Sequence, residues 1–208
     1  MKRLLLLAAL LAVVFTPAVA QADNINVGDT VYIMDHPDAN FGNGGAFILK
    51  TASGDQFTTF CVETNEFLAS LPGNHVIGGI SDKAINGGSG GGNPDPLDAK
   101  TAFLYYQFRS GNASYQNTQV LQNVIWFIEQ EYGSLDGALA NTYYNNAVTA
   151  VNGSWGNTIG PVGVINLLKP DGSRSQDLLT VVPDGGATLM LLGGALMGLG
   201  VLRRKFRS

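Results

Sequence analysis

The chain has 208 residues, 45% of them hydrophobic and 13% charged, with 27 glycines and one cysteine. That length suits one domain with a real core, and a single cysteine excludes an internal disulfide framework. The formal net charge of -4 hides basic ends: without Lys2, Arg3 and the tail residues Asp184, Arg203, Arg204, Lys205 and Arg207, 6 basic and 15 acidic residues remain, a charge of -9. Such a surface repels phosphate backbones, so nucleic acid is not expected as a partner.

In chain order, Met1-Lys2-Arg3 is a basic start, Leu4 to Phe15 an apolar run and Ala18-Val19-Ala20 an A-x-A site. Together they predict a signal peptide over 1–20, cleaved before Gln21. The exported domain is then 21–182. Thr30-Val31-Tyr32-Ile33-Met34 reads as a strand ended by Asp35-His36-Pro37-Asp38. Ala46 to Thr51 and Gln56 to Val62 flank the turn-like Ala52-Ser53-Gly54-Asp55 and predict a hairpin. Alternation along its second arm puts Phe57, Thr59 and Cys61 on one face and Thr58, Phe60 and Val62 on the other. A further short strand is expected at His75 to Ile77. The glycine-rich run Asn86 to Pro96 reads as a loop that no core holds in place.

From Leu97 the texture becomes helical, with a first helix to Phe108 and a second capped by Asn117 or Thr118 and reaching Glu131. In the second, Val120, Leu121, Val124, Ile125 and Ile128 follow the i, i+3, i+4 spacing of a buried face. A third helix is expected over 134–151. Val162 to Lys169 and Leu178 to Val182 close the domain as strands around the Pro170-Asp171-Gly172 turn. Strands, then helices, then strands indicate an α+β fold: a β-sheet or barrel-like part packed on a small helical group.

The chain ends in Val182-Pro183-Asp184-Gly185-Gly186, an apolar run from Ala187 to Leu202, and a basic tail of Arg203, Arg204, Lys205 and Arg207. The 16 apolar positions give roughly 24 Å as a helix, short of a ~30 Å hydrocarbon core unless the bilayer thins or the arginines reach up to the headgroups. The basic cluster stays cytoplasmic. A bland tail anchor has the same ingredients. Residues 183–208 resemble the PEP-CTERM class of bacterial sorting signals, most closely its VPDSG variant, with glycine at the small position after Asp184 where that variant often has serine. The resemblance implies an exosortase-type membrane enzyme as partner, transient inner-membrane anchoring through residues 187–202, and release or transfer to the cell surface or beyond it.

Two segments of the middle carry candidate chemistry. Phe60-Cys61-Val62 puts the thiol on a strand, and Leu121-Gln122-Asn123-Val124-Ile125-Trp126 puts an amide on an apolar helix, with the Trp126 indole one turn away on the same side. This pair resembles the thioester domains of bacterial surface adhesins, which carry an aromatic-Cys-apolar segment and later an apolar-Gln-x-x-apolar-Trp segment. The resemblance implies a Cys61–Gln122 thioester shielded by Phe60 and Trp126, opened once by an amine on a surface or matrix partner. It implies adhesion rather than turnover, so no enzyme activity and no cofactor are expected. The spacing between Cys61 and Gln122 is short for that family.

Other residues offer less. His36 or His75 as a base for Cys61 would make a Cys-His hydrolase, but no protease signature surrounds the cysteine. Glu63 and Glu66 flank it and would raise its pKa if close. Asp35, Asp38 and Asn40 lack the glycine and terminal glutamate of a calcium loop, no Cys/His cluster suits a metal, and no metal is expected. Tyr143-Tyr144 and Trp155 read as packing, and Asn112-Ala113-Ser114 as a sequon of little meaning in a bacterial chain. The rival reading of the whole is a passive structural or extracellular-matrix surface protein without thioester chemistry.

Overall fold

The computed structural model describes residues 19–39, 44–68, 71–85 and 88–183. Most of the predicted signal peptide, Asn40, and the tail from Asp184 onward, with its apolar run and basic cluster, lie outside them. Among the described residues no helix is long and apolar enough to cross a membrane.

Alternation of apolar and polar residues produces the strands. β1 (Thr30–Asp35) buries Val31 and Ile33 and pairs antiparallel with β2 (Ala46–Lys50), which pairs with β3 (Gln56–Phe60). The hairpin between β2 and β3 turns at the expected residues, where Thr51 N–H donates to Asp55 O and Gly54 takes a φ of 93° that a side chain would strain. β4 (Gly73–Ser81) lies on the other side of β1. It is far longer than the three residues expected, because Gly78 and Gly79 continue the strand. A Cβ on Gly78 would approach Leu168 to 2.8 Å, so the glycine marks close strand approach at a bulge rather than a break. Lys83–Ala84 (β5) and Asp95–Pro96 (β6) form a small separate ladder.

The helical block follows. α1 (Ala99–Arg109) is capped by Asp98, whose carboxylate accepts from Lys100 N–H at 2.7 Å. α2 (Thr118–Ile128) is capped by Asn117 accepting from Val120 N–H, as its sequence foretells. It ends three residues before the expected Glu131, because Gln130 turns into the left-handed region at φ 65°. α3 (Ala138–Val151) begins four residues later than its pattern suggests. β7 (Val162–Leu168) and β8 (Arg174–Val181) complete the sheet, β8 starting four residues before the expected Leu178.

The described residues thus combine three α-helices with a six-stranded antiparallel sheet of order β3-β2-β1-β4-β7-β8. Its two outer strands approach each other. Cys61, just past β3, bridges Leu178 of β8, Val62 N–H donates to Asp177 O, and the Thr59 hydroxyl donates to Leu179 O at 2.6 Å. The sheet therefore curls so that its outer strands touch at this one bridge.

Curling gives the core two parts. One holds Val31, Ile33, Phe47, Leu49, Phe57, Cys61, Ile77, Ile165, Leu167 and Leu178, with Trp126 reaching in from α2. The other lies between the sheet's opposite face and the helices, built on Phe60, Tyr105, Phe108, Leu121, Ile125, Tyr143 and Leu179. The alternation read for the second hairpin arm explains the division: Phe57 and Cys61 fall in one part, Phe60 and Val62 in the other. Near the start of the domain, Asp23 accepts both guanidinium nitrogens of Arg109 at 2.9 and 2.7 Å, the Thr180 hydroxyl and Val181 N–H. This buried ion pair ties the first described segment to α1 and β8.

Candidate functional site

Cys61 and Gln122, 61 positions apart, meet face to face. The Cys61 N–H donates to Gln122 Oε1 at 3.0 Å, and Gln122 Nε2 donates to the Cys61 carbonyl at 2.9 Å. Both residues are buried, at 0% and 1% exposure. Two polar groups left over where β3 runs out into its bridge with β8 are thus satisfied by one carboxamide from α2. The amide is held flat against the residue whose thiol it is expected to meet.

The thiol itself is poor in charge. Burial pushes its pKa far up, while the Gly45 N–H and its own backbone N–H pull it down by less. The rise comes from burial, not from Glu63 and Glu66 as anticipated. Nor do the histidines serve it. His36 Nδ1 accepts from Asp38 N–H at 3.1 Å. His75 is buried, paired with Val31, turned to the Gly73 backbone and close enough to Lys169 to feel its charge. Cys61 bridges Leu178, the partner of Ile165, so strand register separates it from the Lys169 level by roughly 13 Å. A Cys61–His75 pair does not form.

Trp126 lies in the Cys61 core cluster, 8% exposed, with Nε1 buried and unpartnered. It also lines a cavity of about 650 Å³ together with Gly44, Phe47, Glu66, Phe67 and Tyr132. Trp126 thus belongs both to the cavity wall and to the core cluster that holds Cys61, whereas Cys61 and Gln122 do not line the cavity. Gly44 (φ 63°) packs so tightly on the ring that a Cβ there would come within 2.3 Å of it. Phe60, the other expected shield, sits in the helix-side core with its ring edge-on to Tyr105 and Phe108. It buttresses the strand from behind.

Two features were not visible in the sequence. Glu131 Oε2 accepts from Thr64 N–H, the Thr64 hydroxyl and Ser89 N–H, and Oε1 from Gly90 N–H. Burial alone would raise its pKa, but these donors outweigh burial and hold it below the usual value. A Cβ at Gly88 would collide with Glu131 and one at Gly90 with the Gln130 carbonyl. The glycine-rich segment is accordingly pinned by Glu131, contrary to the expectation of a loop held by nothing. The second feature is a group of carboxylates: oxygens of Glu63, Glu66 and Asp177 lie within 4.8 Å of one another, where no metal was expected. Asp35 lines the cavity, but Asp38 is turned to His36 and Asn40 lies outside the described residues. Tyr143 and Trp155 are packing residues: Tyr143 is in the helix-side core and Trp155 against Phe103 and Tyr106.

Residues 181–206 match the model of the VPDSG-CTERM motif. No curated protein and no solved structure matches the chain. The match supports a C-terminal sorting signal, and with it an exported surface protein processed by an exosortase-type enzyme. Val182 and Pro183 of that motif follow directly on β8, where Val182 N–H donates to Pro161 O. The sorting signal begins where the sheet ends.

Proposed function

We propose that this exported protein attaches covalently to an amine-bearing surface or matrix partner through a Cys61–Gln122 thioester, and that it acts once per molecule rather than as an enzyme. One observation carries the reading: the Gln122 carboxamide is held by both its ends on the Cys61 backbone, in a dry site under Trp126. The Cys61 N–H on Oε1 polarises the carbonyl as an oxyanion-hole donor does. Sulfur adds to the carboxamide carbon, the C–N bond breaks, and the thiol proton leaves with the nitrogen as ammonia. The Cys61 carbonyl, already accepting from Nε2, guides that departure. A partner amine then adds to the thioester carbon, forms an amide to Gln122 and returns the Cys61 thiol.

Water exclusion protects such an electrophile between formation and use. Trp126 and Gly44 provide it, and the amine enters by displacing the indole from the cavity side. In this reading the apolar run 187–202 holds the chain transiently in the inner membrane before transfer to the surface, where adhesion follows.

The rival is a passive surface or matrix component in which Gln122 serves only to satisfy the strand end. The burial that keeps the Cys61 thiol protonated favours it. Intact mass of the purified full chain separates the two. The thioester lowers the mass by about 17 Da through loss of ammonia, and Cys61→Ala and Gln122→Ala each abolish the deficit. Methylamine added to the wild type replaces the deficit with a covalent adduct on Gln122. A wild-type mass equal to that of the unmodified chain, with Cys61 alkylated on unfolding, leaves the passive reading standing.

A further inference from the structure

We infer that Glu63, Glu66 and Asp177 form a binding site for a hard divalent cation, calcium, at the seam between the end of β3 and β8. Their ligand oxygens lie within 4.8 Å of one another. Calcium is held by about six to eight oxygens in flexible geometry, which carboxylates from two separate segments can supply, whereas magnesium demands near-ideal octahedral geometry and keeps several waters. Oxygen-only donors exclude the softer metals.

A group of carboxylates alone proves little, but the state of Glu63 is unusual. The residue is 1% exposed, and its side-chain oxygens find no N–H or hydroxyl donor among the described residues, their one hydrogen-bonding neighbour being the Glu66 carboxyl. Both are shut away from solvent, and the Oε2 of Glu66 is in the same condition. A buried carboxylate without donors is strongly disfavoured. Its charged neighbours make matters worse, since Asp177, Glu66 and Glu131 all push on it with the same sign. A divalent cation removes the repulsion and supplies the missing partner in one step.

The surroundings suit such a site. Asp177 is held in place from behind by Asn166 Nδ2 on Oδ1 at 3.0 Å and by Ile85 N–H on Oδ2 at 2.6 Å, the outer support that orients a ligand carboxylate. The Gln176 amide donates to the Glu63 carbonyl and fixes that segment against β8. Glu66 lines the cavity beside Trp126 and gives an entry path for the ion. The ion would brace the seam where the sheet curls onto itself, whether or not a thioester forms at the neighbouring Cys61.

The test is calcium binding by the full chain, purified in detergent and stripped with chelator. We expect one saturable calcium per chain by titration calorimetry, with a rise in melting temperature that magnesium at equal concentration does not match. Glu66→Gln, at a partly exposed ligand, should weaken binding at least tenfold, while Asp35→Asn, a cavity carboxylate outside the group, should leave it unchanged. Folded wild-type chain that binds no calcium and melts at the same temperature with and without it overturns the proposal. So does Glu66→Gln binding as tightly as wild type. A stripped chain that gains stability only on acidification, with no calcium response, identifies a proton shared by Glu63 and Glu66 instead.

Discussion

The carboxamide of Gln122 does the work of two partners, and removing it exposes the difference between a satisfied and an orphaned polar group. Gln122→Ala leaves the Cys61 N–H and C=O buried and unpaired. Each orphaned group costs about 1–3 kcal/mol, so chemical denaturation should report a loss of roughly 2–6 kcal/mol. Gln122→Glu keeps the size and one acceptor but turns the donor into a second acceptor facing the Cys61 carbonyl, so it should destabilise as well. Arg109 gives a second residue-scale expectation. It pairs with Asp23 through two hydrogen bonds, donates to Tyr105 Oη, and lies 4.9 Å over the Phe57 ring. Arg109→Met leaves Asp23 as a buried charge held only by Thr180 and Val181, and should cost about 3–5 kcal/mol by the same measurement. The double change with Asp23→Asn should recover part of that loss, because the stranded charge is gone.

At the scale of elements, what could be read from sequence was what local pattern dictates. The β2–β3 hairpin, the cap of α2 and the apolar face of α2 follow from alternation, an Asx residue and i, i+3, i+4 spacing. The meeting of Cys61 with Gln122 was expected only through the resemblance to thioester domains; local pattern placed Cys61 on a strand and Gln122 beside Trp126 on a helix, but said nothing of their meeting. The misreadings of β4 and of the glycine-rich loop share a cause: glycines that look like punctuation are contacts. Gly78 lets β4 run past Leu168, and Gly88 and Gly90 let the loop close on Glu131 and Gln130. No one-dimensional pattern distinguishes a glycine in an idle loop from one against a carboxylate. The same holds at Gly44. Gly44→Ala must move the Trp126 ring, since a Cβ there would lie 2.3 Å from it. The expected outcome is faster alkylation of Cys61 by a small reagent in the folded chain, or faster hydrolysis if a thioester is present, with an altered tryptophan emission. Unchanged emission and reactivity would mean that Trp126 is not what seals the site.

For the molecule as a whole, the acidic grouping escaped the sequence because Asp177 comes from β8, far along the chain from Glu63 and Glu66, and only the curling of the sheet brings them together. Its consequence is a pH dependence whose sign can be worked out. Glu129, buried among α1 and its cap, is pushed up to about 8, first by burial and then by the charges of Asp98 and Asp95, with the Thr101 hydroxyl and Asp98 N–H opposing. Glu63 is likewise held up to about 8 by burial, then by Asp177 and Glu66. For each, the ordinary value of 4.5 applies in the unfolded chain. The folded state therefore binds protons more tightly, and its advantage is full below pH 4.5 and is lost as pH rises towards 8. His75 acts in the opposite direction, its pKa lowered from 6.5 by burial. Stability from that source rises with pH, but only up to about 6.5, where the unfolded histidine stops binding protons. Glu131, held low by its donors, contributes only below its ordinary 4.5. Between pH 6.5 and 8.5 the raised glutamates thus stand alone among these groups, and the melting temperature of the chelator-treated chain should fall across that interval. The swing for Glu129 over its whole range is at most about 5 kcal/mol. Glu129→Gln, which keeps an acceptor for the Asp98 N–H but carries no charge, should flatten the fall by that residue's share. Calcium should flatten it further by holding Glu63 ionised at every pH in the interval, as a cation on those carboxylates must. A wild-type melting temperature that rises from pH 6.5 to 8.5 without calcium would mean that these buried carboxyls do not set the balance between folded and unfolded chain.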